Sequence, residues 1–246
     1  MTYFSTAIET SGLDRNKDEI LELCLIPENT VSPLDIENSF LFNCVILHDP
    51  FPSLPLASLD LYISNGLLLN MTEPDNYKSS LQLVKEIVES HRLDKGFKPL
   101  EPQTRSVLLS SFRSLRVRSY EEATVLLYAY IYLLTNFFRN EYSLTPSVTR
   151  PIDKINYQIK MMGDSIAIFT LPFIHSKNLF QLNSVPKGFE FLHDIEICTY
   201  SDGIDPAHIN IDWLSGSEPI LRTKVETNRP LEYCKTTIQL LRPHYT

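Results

Sequence analysis

The sequence predicts an α/β fold in one domain spanning residues 1–246, a mixed β-sheet flanked by helices. Three observations carry this expectation. The first 70 residues hold β-prone apolar runs separated by turns. Residues 77–140 carry apolar residues at helical spacing. The last third returns to strand-like apolar runs and closes on a helix. A chain of 246 residues can bury a core without disulfide or metal staples. It has no internal repeat and no low-complexity linker, so one domain is the economical reading.

The elements follow in order. Tyr3–Ile8 is a short β-prone run, with Gly12 in the turn after it. Asp18–Ile26 places Ile20, Glu22, Cys24 and Ile26 on one face and Leu21, Leu23 and Leu25 on the other, as a buried strand would. Ser39–Leu47 is a third strand candidate, completing a β-meander, and a loop punctuated by Pro50, Pro52 and Pro55 follows. Leu81, Val84, Ile87 and Val88 mark one helix, and Val107, Leu108, Phe112 and Leu115 a second. Ser119 with Glu122 forms a capping box that opens a third helix. Ser165–Phe173 is a further apolar run, Phe189–Tyr200 contains a strand candidate, and Pro230–Leu241 reads as a terminal helix with proline in its first turn.

Composition excludes several function classes. With 22 basic and 30 acidic residues the net charge is −8, which argues against a protein held to nucleic acid by bulk charge. The 7 glycines form neither GxGxxG nor a Walker loop. Cys24, Cys44, Cys198 and Cys234 are far apart and form no CxxC, so reduced buried thiols are expected. The amino-terminal stretch turns acidic too early for a signal peptide, and a cytoplasmic location is expected. Ala123–Phe138 is nearly all apolar, but its 16 residues fall short of the roughly 20 a bilayer span needs. It reads as a buried core helix, with no membrane partner.

The most informative local pattern is Ala7-Ile8-Glu9-Thr10-Ser11-Gly12-Leu13-Asp14, followed by Asp18-Glu19-Ile20-Leu21-Glu22-Leu23. This resembles the opening of the DEDD 3′–5′ exonucleases, the DnaQ-like branch of the ribonuclease H-like superfamily. There a first strand ends in Asp-x-Glu-Thr-x-Gly-Leu-Asp and Asp-x-Ile-Leu-Glu-Ile follows on the second. Asn65-Gly66-Leu67 looks like that family's glycine turn. Pro102-Gln103-Thr104-Arg105 is similar to a segment of its phage-type branch. Gly163–Ile174 resembles the second motif, a glycine-led strand ending in Phe-Asp and running into a helix. Phe191–Ile195 looks like the following strand, and Leu231–Lys235 with Ile238 resembles the last motif, usually Ala-Leu-Asp-Asp-Cys-Arg. These segments occur in order over almost the whole chain. The resemblance implies a ribonuclease H-like fold and a phage protein acting inside a bacterium.

The departures from the pattern decide the expected function. The family's chemistry needs four carboxylates on two divalent metals, with a histidine as general base. Carried over one position at a time, the first aspartate falls on Ala7 and its glutamate partner is retained as Glu9. The second-motif aspartate falls on Thr170, the general-base histidine on Asn228 and the last aspartate on Tyr233. Neither Ala nor Tyr replaces a hard anionic oxygen on Mg²⁺. The resemblance with these losses implies an inactive exonuclease-like protein, a pseudoenzyme working through protein–protein contacts and without a cofactor. Glu9 is the one retained candidate metal ligand, and Mg²⁺ or Mn²⁺ would enter only with residual activity. Asp164, Asp194 and Glu232 lie close enough in sequence to rebuild a shifted site, which keeps a 3′–5′ exonuclease with a shifted or partner-completed metal site as an alternative. Tyr233 is expected to fill the emptied pocket.

A further alternative is a noncatalytic nucleic-acid binder. Arg92–Arg118 holds seven basic and two acidic residues, with Arg105, Arg113, Arg116 and Arg118 as the candidate binding set. The competing reading is the solvated face of two helices. Phe97 and Phe112 give that segment little base-stacking capacity. Tyr128, Tyr130 and Tyr132 cannot share one helical face, so each needs a buried partner or an interface, a hint of a homo-oligomer or protein partner.

Overall fold

The computed structural model describes residues 2–93, 96–142, 155–163, 166–198, 209–210 and 229–244. β1 (Thr2–Thr10), β2 (Ile20–Asn29) and β3 (Phe42–Ile46) form the expected antiparallel meander. Two short helices follow, α1 (Leu56–Ser64) and α2 (Leu67–Thr72), and then α3 (Tyr77–His91). A small hairpin, β4 (Arg92–Leu93) with β5 (Gly96–Phe97), leads into α4 (Pro102–Phe112), β6 (Leu115–Val117), α5 (Tyr120–Phe137) and α6 (Arg139–Tyr142). The last third contains β7 (Ile155–Gln158), β8 (Met161–Gly163), a π-helical turn over Ile166–Thr170, α7 (Leu171–Ser176), β9 (Ile195–Cys198), β10 (Ile209–Asn210) and α8 (Pro230–Leu241).

The main sheet has six strands in the order β10-β8-β1-β2-β3-β6. β8 runs parallel to β1, β10 parallel to β8, and β6 parallel to β3. β7 and β9 form a separate parallel pair. The expectation of an α/β fold with a mixed sheet flanked by helices is met.

Helices cover both faces, and residue parity along the strands assigns the layers. Phe4, Leu23, Leu25, Phe42, Cys44 and Ile46 pack with α3, α4 and α5. Cys24, Ile26, Leu41 and Met162 pack under Cys234, Ile238 and Leu241 of α8. Leu21 and Val45 meet Tyr62 and Leu67 of α1 and α2. Strict alternation along β2 fails at its start. A bulge sets Thr10 opposite Ile20 while Glu9 opposes Glu22. The extra residue reverses the parity, so Ile20 joins the layer of Leu23 and Leu25.

α5 is buried along nearly its whole length. The Ser119 side chain accepts a hydrogen bond from the Glu122 N–H at 3.1 Å, and the Glu122 carboxylate accepts one from the Arg118 N–H at 2.7 Å. Tyr128, Tyr130 and Tyr132 of this helix are all buried in the core. Tyr128 donates to the Phe180 carbonyl at 3.0 Å and Tyr130 to the Phe40 carbonyl at 2.9 Å. Tyr132 packs against Phe97 and Phe191. They answer the packing problem inside the fold, which removes them as pointers to an oligomer. No helix among the described residues is long and apolar enough to cross a membrane.

Three further expectations are corrected. The proline loop ends in helices, so the first 70 residues are not all strand and turn. Leu115 belongs to β6, where pairing with Cys44 of β3 overrides its helical spacing. Phe191 lies in a 3-10 turn over Glu190–Asp194, and the strand begins only at Ile195.

Candidate functional site

The carboxyl end of β1 supplies Ala7 and Glu9. α8 crosses the same face, tied down by a reciprocal pair: the Ser5 hydroxyl donates to the Cys234 carbonyl at 3.0 Å, and the Cys234 thiol to the Ser5 carbonyl at 3.3 Å. That anchoring sets the neighbouring Tyr233 beside the strand. β8 lies so close to β1 that a Cβ on Gly163 would sit 2.6 Å from the Thr6 carbonyl. The chain then turns through the π-helical segment, and Thr170 is the residue immediately before α7. The motif resemblance places Thr170 where a strand runs into a helix; it lies instead in a helical turn.

Ala7, Glu9, Thr170 and Tyr233 therefore line one cleft of about 420 Å³, with Ile168 and Phe169 on its wall. Tyr233 borders this space without filling it, which corrects the expected plug. An adjoining cleft of about 750 Å³ shares Glu9 and Phe169 and adds Asp18, Leu54 and Tyr62. Leu13 and Ile168 stand at the rim, 85% and 75% exposed.

Glu9 is the carboxylate at the centre, and β-sheet register sets its chemistry. It lies directly opposite Glu22, an unfavourable like-charge pair. Glu22 is fully buried and holds a two-pronged ion pair with Arg229, both contacts 2.6 Å. Glu9 is pushed up to about 7, chiefly by burial and further by Glu22, against the opposing effects of the Tyr62 hydrogen bond and Arg229. Tyr62 Oη lies 2.6 Å from the Thr10 carbonyl and 3.1 Å from Glu9 Oε2. The Tyr62 hydroxyl donates mainly to the closer Thr10 carbonyl and only weakly to Glu9, so this bond offsets only part of the effect of burial.

Asp18 is committed elsewhere. Its carboxylate accepts from the Asp14 N–H at 2.8 Å and occupies the place a Cβ on Gly12 would need, which explains glycine in that turn. Among the described residues, no three His, Cys, Asp or Glu side chains gather to hold a metal. The cleft residues thus do not fit the paired divalent ions that the resemblance implies.

Of the remaining candidates, the described ones (Glu232, Arg105, Arg113, Arg116 and Arg118) do not line this cleft. Asn228 and Asp164 lie outside the described residues, as does the side chain of Asp194. Glu232 pairs with Lys235 on α8 at 3.4 Å. The basic set is engaged internally. Arg105 grips Glu141 at 2.7 and 2.9 Å, Arg113 donates to the Glu37 and Ser39 carbonyls, Arg116 pairs with Glu73 at 2.9 Å, and Arg118 pairs with Asp75. Sequence reasoning missed Tyr62 and Arg229. Tyr62 sits in an unanticipated helix, and Arg229 meets Glu22 across 207 positions, so neither leaves a local signal. No protein-family model matches the chain, and no curated protein matches it.

Proposed function

We propose that this chain is a catalytically inactive exonuclease-like protein of ribonuclease H-like fold that works in the cytoplasm as a binding module for a protein partner. The observation that carries the reading is the convergence of Ala7, Glu9, Thr170 and Tyr233 on one cleft with a single carboxylate among them. These positions are 226 residues apart at their extremes in the sequence, yet line one cleft, which supports the reading. An antiparallel meander whose first strand is joined by a returning parallel strand supports the same reading.

The choice of a protein partner rests on the cleft walls. Among the described residues, neither cleft is lined by Lys, Arg or His, so a phosphate backbone finds no counter-charge. The exposed Leu13 and Ile168 suit an apolar contact instead. Arg105, Arg113, Arg116 and Arg118, the candidate binding set, hold intramolecular partners, which argues against their forming a nucleic-acid surface.

The test is a 3′-end trimming assay on single-stranded RNA and DNA in Mg²⁺ and in Mn²⁺, with Glu9→Ala alongside. No trimming by either protein is expected. Metal-dependent trimming that disappears in Glu9→Ala would replace this reading with an exonuclease whose metal site is shifted or completed by a partner.

A further inference from the structure

A second concavity lies at the other end of the molecule. α6 closes over the start of β1, where the Thr2 hydroxyl donates to the Tyr142 carbonyl. The cleft described above is lined by Thr6 to Glu9, four to seven residues further along that strand, roughly 13–23 Å away at strand rise. The second cavity measures about 350 Å³, within the range of small-molecule sites.

Its lining combines three kinds of group. Phe97 and Phe137 form an aromatic wall, their ring centroids 4.7 Å apart, and both are half-buried. Asn136 and Asn140 bring carboxamides. Asn136 Nδ2 donates to the Tyr132 carbonyl at 2.8 Å, which leaves its oxygen as an acceptor. Lys98, Arg105 and Arg139 bring positive charge against the single carboxylate of Glu141. Arg105 is fixed by its two bonds to Glu141 and by the Phe138 ring 4.6 Å below its guanidinium. Two of its five N–H groups are used in that grip, and others remain to meet a ligand. Lys98 and Arg139 have no ion pair among the described residues. This contrasts with Arg116, Arg118, Arg229 and Arg242, which all hold carboxylates.

An aromatic face, amide groups able to read a heterocycle edge and two uncommitted cations together match one ligand chemistry. A flat ring stacks on the phenylalanines, a carboxamide bonds its edge, and an attached phosphate meets the cations. We propose that this cavity, between β5, the start of α4 and the α5–α6 junction, binds a nucleoside monophosphate. The proposal goes beyond the pseudo-nuclease reading and does not depend on it.

Calorimetric titration of the full chain with AMP, adenosine and inorganic phosphate tests it. AMP is expected to bind at least about tenfold more tightly than adenosine or phosphate alone, because ring and phosphate are held together. Lys98→Ala with Arg139→Ala is expected to weaken AMP binding by about tenfold or more and to leave adenosine unchanged. Both side chains are exposed, so the double variant keeps its fold. Phe137→Ala, checked for native circular dichroism, is expected to weaken AMP and adenosine alike. Absence of AMP binding, phosphate binding as tightly as AMP, or AMP binding indifferent to the two cation replacements would each overturn the proposal.

Discussion

Glu9 is held between two opposing demands. Its place opposite Glu22 and its burial favour the neutral acid, while a metal site would need the carboxylate. A group whose folded value stands near 7 against 4.5 keeps its full stabilising contribution below about pH 4.5 and loses it as the pH rises through 7. Glu9→Gln imitates the neutral acid and removes that dependence. The variant is therefore expected to match the native protein at pH 4 and to be more stable at pH 8 by about 2 kcal/mol, a value kept below the full shift because Glu9 is only partly shielded from water. Urea melts at the two pH values check this. A variant less stable than the native chain at pH 8 would show that the ionised carboxylate is the favoured form. The sequence displays Glu9 within the motif resemblance but not its protonation. That follows chiefly from burial in the folded chain and further from register with Glu22, against the Tyr62 hydrogen bond that arrives on a separate helix.

Elements became legible where the pattern was local. α8 announces itself through Pro230 at its first turn and through the spacing of Cys234, Ile238 and Leu241. α5 does so through Ser119 and Glu122. α1 lacks a side-chain cap and follows three prolines, so its helical character was hidden. β6 is three residues long, and only its pairing with β3 makes it a strand. The link between α8 and the sheet was hidden as well. Arg229, just before α8, neutralises the fully buried Glu22 of β2. Arg229→Ala would strand that carboxylate in the interior, with an expected cost of about 3–5 kcal/mol. Thermal unfolding measures it, and a loss below about 1 kcal/mol would mean that Glu22 finds another partner or takes up a proton.

At the scale of the whole molecule, the fold brings together positions that the sequence keeps apart. β1 provides Ala7 and Glu9, the turn before α7 provides Thr170, and α8 provides Tyr233. The α/β class could be read from periodicity alone. The shape of the cleft could not, because the Ser5–Cys234 contact and the close approach of Gly163 to β1 set it. The exposed apolar rim and the lack of a cationic lining among the described residues, which favour the proposed protein partner, also appear only once the chain is folded.

The central claim is that this cleft has lost its capacity for divalent metal. Titration of the full chain with Mn²⁺, followed by electron paramagnetic resonance of the free ion beside Glu9→Ala, measures that capacity directly. The account predicts no saturable binding in the native protein and superimposable curves for the two. Saturable binding of two Mn²⁺ ions, abolished by Glu9→Ala, would contradict it.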